Sequence, residues 1–512
     1  MILIAILFVI IYVIYSKFIN TAYYWQKKGI FHVKPWSRFG KVFLGNKSFF
    51  ESVIDGYNEY PDRRYYGSYQ FLKPSLFVRD LELIKKITVK DFENFPDHLN
   101  FVNEKSEPVL SLNLFSLQGK KWRDMRSTLS PAFSSAKMKS MYVLIQETAE
   151  KFSKHFSDTA EDLIELEMKN VYSRFTSDVI ANCAFGIECD SLKEENNQFF
   201  TMGTFVATPR GFSVIRGLLI SFFPKFVEFF RISLFPPNVT EFFRKLIKET
   251  TTYRQQQNIV RPDMIHLLME AKKGRLKHES GVANETETGF ATVEESSLGT
   301  SISKMEITDD VMTAQALVFF LAGFDTTSTM LSFLSYELAL NPGIQAKLHK
   351  EIDETLENCN GKVTYEQVSK MKYLDQVVSE ALRKYPPGYV LTRVCTKEYK
   401  IPATKNDEVD LVLEEGCAVT IPVAGLHRDP TYFPDPNTFD PDRFSEENKG
   451  KIVPGSYMPF GSGPRNCIGS RFALLQGKAL AVSLLSRFQI VPTKKTSTPM
   501  KASEVIEPYS QR

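Results

Sequence analysis

The sequence predicts a mainly α-helical fold with a small β-sheet module near one edge, carried on an N-terminal membrane anchor. Three observations predict it. Residues 311–340 are apolar nearly all round at helical length, so this helix should lie buried in a large domain. From Ile468, Phe472, Leu475, Ala479, Val482 and Leu485 recur at helical spacing directly after a glycine-rich loop. Met1 to Ser16 carry no charge and are almost wholly apolar.

Composition sets the bounds. The 512 residues carry a formal net charge of +3, so no basic nucleic-acid surface is implied. Six cysteines occur, none in a C-x-x-C pair, which suggests neither a zinc site nor a redox dithiol. They are too sparse for a disulfide scaffold, and a reducing compartment follows.

Residues 1–25 read as the anchor, 26–45 as a basic, proline-containing linker and 46–512 as one large domain. Lys17 interrupts the apolar run but can snorkel from near its end, and Tyr23, Tyr24 and Trp25 are expected at the membrane interface. Lys27, Lys28, Lys34, Arg38 and Lys41 follow, with no acid before Glu51, so the bulk of the protein should face the cytosol. A cleaved signal peptide is the rival reading, but the segment lacks a basic start and a small-residue cleavage site. The sequons Asn238-Val-Thr240 and Asn284-Glu-Thr286 should then carry no sugar.

Tyr65 to Phe71 and Ser75 to Val78 read as two strands split by Pro74. Residues 99–118 form an irregular loop. Trp122 and Arg126, four apart, share a helix face; an amphipathic helix with solvated charges accounts for the same pattern. Residues 137–190 read as helices. Residues 217–237 are unusually aromatic and suit either a core helix or a surface that dips into a membrane. The polar stretch 273–305 reads as a mobile linker without chemistry. Thr308, followed by Asp309 and Asp310, marks a helix start.

The middle of the long helix reads Ala322-Gly-Phe-Asp-Thr-Thr327. Glycine costs about 1 kcal/mol inside a helix, and an acid beside an alcohol needs partners there. Such broken local rules mark functional sites; a kink with self-satisfied threonine hydroxyls is the other reading. Glu380 and Arg383 sit at i,i+3, a spacing repeated at Glu228/Arg231 and Glu241/Arg244, so only Tyr385-Pro-Pro387 and Pro441-Asp-Arg-Phe444 downstream give it weight. Leu391 to Arg393 is β-prone, and Ala418 to Val423 reads as a buried strand. His427, a conceivable metal ligand, lies in a turn-like Leu-His-Arg-Asp-Pro.

Met458-Pro-Phe-Gly-Ser-Gly-Pro-Arg-Asn-Cys-Ile-Gly469 is the chemical centre. Gly461, Gly463 and Pro464 read as a tight loop. Cys467 then meets the free N–H groups and positive end of the following helix, a setting expected to favour the metal-binding thiolate. Arg465 is a fixed cation suited to a carboxylate, and Gly469 leaves room for a flat cofactor. The plain alternative is that Cys467 is a small buried hydrophobe.

Phe460-x-x-Gly463-x-Arg465-x-Cys467-x-Gly469 resembles the haem-thiolate loop of the cytochrome P450 monooxygenases. The resemblance runs from the anchor to about Thr493, with motif wording most like the microsomal detoxification branch of insects. It implies the P450 fold, haem b (iron-protoporphyrin IX) as cofactor and Cys467 as iron ligand. Phe460 and Gly469 would lie against the cofactor, and Trp122, Arg126, Arg393 and Arg465 would hold its propionates. Thr326 would hydrogen-bond the oxygen being activated in a groove opened by a bend of the helix, and Asp325 would feed protons. Phe319, Ala322, Gly323, Val390 and Leu391 would face the substrate. Loop 99–118 would cover the pocket, 217–237 would be a membrane-facing entrance, and Glu380, Arg383 and Arg443 would lock the core.

The implied activity inserts one oxygen atom of O2 into lipophilic substrates, xenobiotic or endogenous. The chain has no Gly-x-Gly-x-x-Gly and no Walker loop, so electrons come from outside; the resemblance supplies an NADPH-cytochrome P450 reductase in the endoplasmic reticulum membrane. A haem-thiolate isomerase and a non-catalytic haem carrier are the rival classes. The Asp325-Thr326 pair argues against the first, and NADPH consumption with added reductase separates both. One departure stands out: after Ile490 the family usually runs to an apolar final hairpin that helps close the pocket, whereas Ala502 to Arg512 is polar.

Overall fold

The computed structural model describes residues 21–34, 47–70, 73–100, 102, 104–159, 161–207, 212–274, 289–293 and 306–498. The apolar run of the anchor, most of the linker, the Asn284 sequon and the polar C-terminus lie outside the described residues.

Six short strands form the sheet module: β1 (Tyr65–Gln70), β2 (Lys73–Val78), β3 (Leu391–Val394), β4 (Tyr399–Ile401), β5 (Leu411–Leu413) and β6 (Ala418–Ile421). The main sheet has the order β1-β2-β6-β3, with β2 and β6 parallel and the other pairs antiparallel, and β4 pairs with β5 separately. Pro74 does not split the hairpin as expected. It sits inside β2 opposite Tyr69, and β6 covers only Ser75 to Phe77, so its missing N–H leaves no ladder bond unmade on that side.

Trp25 corrects the interface reading. It is fully buried against the sheet, its indole N–H donating to the Ser68 carbonyl at 2.8 Å. A Cβ at Gly67 would come within 2.3 Å of the indole, so glycine there is what lets the ring lie flat on β1. Trp25 therefore belongs to the domain, while Tyr23 stays half exposed.

Six helices frame the site, α1 (Gly119–Leu129), α2 (Ser135–Ser157), α3 (Met168–Ile180), α6 (Asp309–Leu340), α7 (Lys372–Lys384) and α8 (Ser470–Leu485), and α4 (Phe212–Phe222) and α5 (Pro224–Phe230) lie between α3 and α6 in the chain. Thr308 caps α6, its hydroxyl accepting from the Val311 N–H at 3.2 Å. Among the described residues α6 alone is long and apolar enough to cross a membrane, but most of it is buried, which makes it the core helix. It runs as one continuous helix through Ala322 to Thr327. Gly323 has a packing reason: a Cβ there would sit 2.8 Å from Ile180 Cδ1, so glycine lets the end of α3 close on α6.

Glu380 and Arg383 form a fully buried bidentate pair at 2.7 and 2.8 Å, and Arg443 approaches Glu380 at 3.5 Å. Arg383 also donates to the His427 carbonyl, tying α7 to the segment after β6. The 273–305 stretch is not simply a loose linker. Residues 289–293 are seated on the core, with Ala291 buried and the Phe290 ring against Phe444 and Tyr457.

Candidate active site

A cavity of about 390 Å³ lies between α6 and the cysteine loop. Phe319, Ala322, Gly323 and Thr326 line it from α6, and Phe460, Cys467 and Gly469 from the loop. Leu391, Pro387 and Gly388 close another side, while Val390 is not among its lining residues. Helix α1 contributes Trp122 and Arg126.

The loop takes its shape from glycine. Gly461 and Gly463 have φ of +81° and +72°, and a Cβ at Gly463 would lie 1.8 Å from the Thr88 carbonyl oxygen. The Cys467 N–H donates to the Phe460 carbonyl at 2.8 Å, folding the loop back so that the sulfur faces the cavity. The helix opens at Ser470 with Gly469 as its cap, so Cys467 stands just outside the first turn. Burial raises the thiol pKa, opposed by the Gly469 N–H and by Arg126. Without a cation beside it, desolvation works against the thiolate that the helix mouth was expected to favour; a bound metal cation would favour the thiolate.

The polar edge of the cavity is cationic. Arg126 donates to the Asn466 carbonyl and to its side-chain oxygen at 2.8 and 2.7 Å. Arg393 is fully buried behind this edge and is not among the lining residues; it contacts the Thr392 carbonyl and His98 Nδ1, and its Nε–H has no partner among the described residues. Arg465 is the most heavily engaged. It donates to the carbonyls of Pro96, Leu114 and Leu117, pairs with Asp97 at 3.1 Å and lies 4.0 Å over the Trp122 ring. Burial pushes it down to about 9, and Asp97 opposes that fall. Its charge is thus largely answered by protein, which the motif does not reveal.

On α6, Thr326 faces the cavity and its hydroxyl donates to the Ala322 carbonyl at 2.5 Å. Asp325 has the partner its position demands. Lys169, on α3, reaches Asp325 Oδ1 at 2.8 Å and its carbonyl at 3.1 Å, together with the hydroxyls of Ser328 and Thr329. Burial lowers the Lys169 pKa, and Asp325 pulls it back up.

Sequence reasoning missed Lys169, Asp97, Asn466 and His98. His98 stacks on Phe115 with centroids 4.7 Å apart, and burial beside Arg393 and Arg465 holds it neutral. Asn466, between Arg465 and Cys467, carried a positional signal; the others needed long-range contacts. His427 is excluded as a ligand: Met458 N–H donates to its Nε2 at 2.9 Å, and its Nδ1 lies 3.2 Å from the Arg383 carbonyl.

A flat, dianionic metallocycle fits these residues: a cysteine on the loop wall, small residues on the facing helix, and the Arg126 and Arg465 guanidinium groups at the cationic edge.

The Cytochrome P450 family model matches residues 32–509. The chain is 45% identical over 481 residues to cytochrome P450 9e2 of Blattella germanica, covering 91% of this chain and 87% of that one. It is 37% identical over 501 residues to probable cytochrome P450 9h1 of Drosophila melanogaster, covering 96% and 93%. To cytochrome P450 6k1 of Blattella germanica it is 37% identical over 484 residues, covering 94% and 89%.

Proposed function

Since the chain belongs to the cytochrome P450 family, with haem as its cofactor and monooxygenation as its chemistry, we propose that it oxidises lipophilic small molecules at the cavity under α6, with electrons from an NADPH-dependent reductase. The observation that carries the reading is that Cys467 and Thr326 line the same largely apolar cavity.

When bound, haem supplies reductive activation of dioxygen, with a thiolate ligand favouring O–O cleavage. Cys467 would hold the iron through Sγ, with the Gly469 N–H and Arg126 stabilising the thiolate charge. The Trp122 indole, Arg126 and the Nε–H of Arg393 would receive the propionates, with Arg465 adding field from its Asp97-paired position. Phe460 and Gly469 would seat the flat face. Phe319, Ala322, Gly323 and Leu391 exclude water and hold an apolar substrate. The Thr326 hydroxyl, which donates to the Ala322 carbonyl, would be the hydrogen-bond donor on the cavity side of α6, and Asp325, held by Lys169, would be the proton source behind it.

Substrate entry lies on the aromatic face of α4 and α5. Phe223, Phe226, Phe229 and Phe230 are exposed, Phe229 by 80%, which is unusual for an apolar cluster in water. Together with the apolar N-terminus, this supports residence on the endoplasmic reticulum membrane with the domain in the cytosol. The test is turnover of a lipophilic substrate panel with NADPH and added reductase. Product formation that requires NADPH and O2 is expected; haem binding without product from any member would contradict it.

A further inference from the structure

We propose that Gly289 to Thr292, in the polar stretch between residues 273 and 305, is a positioning element for the cysteine loop, acting through Phe290. The inference rests on Cys467 being the iron ligand.

The segment occupies a fitted seat. The Phe290 N–H donates to Asp375 Oδ2 at 2.9 Å, while Asp375 Oδ1 takes the buried Lys478 ammonium at 2.8 Å. The turn is closed by the Thr292 N–H on the Gly289 carbonyl at 3.0 Å. Gly289 has φ of +146°, and a Cβ there would fall 2.0 Å from Asp375 Oδ1, so only glycine fits. Asp375 is on α7 and Lys478 on α8, so the segment bridges the two helices beneath the loop.

From that seat a chain of contacts leads to Cys467. The Phe290 ring packs on Phe444 and Tyr457, with centroids 5.2 and 5.5 Å apart. Tyr457 donates to the Ser379 carbonyl at 3.0 Å and stacks on His427 at 5.4 Å. The next residue, Met458, donates its N–H to His427 Nε2, and its carbonyl takes the Gly461 N–H at 3.0 Å. Two residues further on, the Phe460 carbonyl takes the Cys467 N–H. Phe290 thus closes the open side of the ring that fixes where this loop starts. A close-packed interior passes such a displacement on instead of absorbing it.

The test uses the haem-loaded full chain as wild type, Phe290→Ala, Gly289→Ala and Phe290→Tyr. Two quantities are read: amide hydrogen exchange across residues 457–467, and the lifetime of the red-shifted carbon-monoxide band of the reduced protein. Phe290→Ala and Gly289→Ala should each raise exchange in 457–467 several-fold and shorten the band lifetime. Phe290→Tyr, which keeps the ring, should match wild type, and exchange in α3 and the main sheet should not change. Wild-type exchange and lifetime in both disruptive variants would overturn the proposal. So would exchange raised equally throughout, which marks general stabilisation only. A wild type that never shows the red-shifted band would sink the Cys467 assignment instead, and the exchange measurement would still judge the segment.

Discussion

Lys169→Met isolates the support of the proton path. The Lys169 side chain is 10% exposed and that of Asp325 is 48% exposed. Removing one partner of a fully buried pair costs about 3–5 kcal/mol. The Asp325 side chain is about half exposed, so solvent answers part of its charge and about 1–2 kcal/mol is the expected loss. A chain of this size unfolds with an entropy of about 1 kcal/mol per kelvin, so the melting point should fall by only about 1–2 °C. Function is the sharper readout. With Asp325 no longer held, product formed per NADPH consumed should drop, and Asp325→Asn should lower it comparably. The double variant should be no worse than either single one, because both act on the same step. A wild-type ratio in Lys169→Met, or losses that multiply in the double variant, would refute the linkage.

Other perturbations follow from the same geometry. Thr326→Ala should uncouple NADPH use from product while leaving haem content intact; unchanged coupling removes its hydroxyl from the relay. Gly463→Ala should abolish stable haem incorporation, because its Cβ would strike the Thr88 carbonyl at 1.8 Å, whereas Gly469→Ala meets only Phe133 at 3.9 Å and should fold; equal folding yields would contradict this. His427 is buried neutral with its pKa pushed down to about 3. Between pH 6.5 and about 3 the unfolded chain takes up a proton that the folded one does not. Stability should therefore fall with pH across that window by up to about 4–5 kcal/mol. Asp178, raised to about 6 by burial, works in the opposite sense. The comparison with His427→Gln isolates the histidine: that variant should show a shallower acid slope in denaturant titrations, and an unchanged slope would refute it.

What could be read from the chain was what is encoded locally. The α6 start at Thr308, the αL glycines of the cysteine loop and the Trp122/Arg126 spacing need only neighbours in sequence. The elements misread are those decided across the fold. Trp25 looks like an interface residue until β1 offers it Gly67, and Pro74 looks like a strand break until β6 proves too short to need its N–H. Residues 289–293 look like free linker until Asp375 takes their amide, and the packing reason for glycine at 323 appears only when Ile180 arrives. The helix mouth behind Cys467 is visible in sequence, whereas the desolvation that opposes the thiolate is a property of the assembled cavity.

The central claim is a sulfur–iron bond at Cys467, and the carbon-monoxide difference spectrum of the reduced protein reads it directly. Wild type should give the red-shifted Soret band of a thiolate-ligated haem, and Cys467→His should lose it even where haem is retained. No such band in the wild type, or its persistence in Cys467→His, would contradict the account.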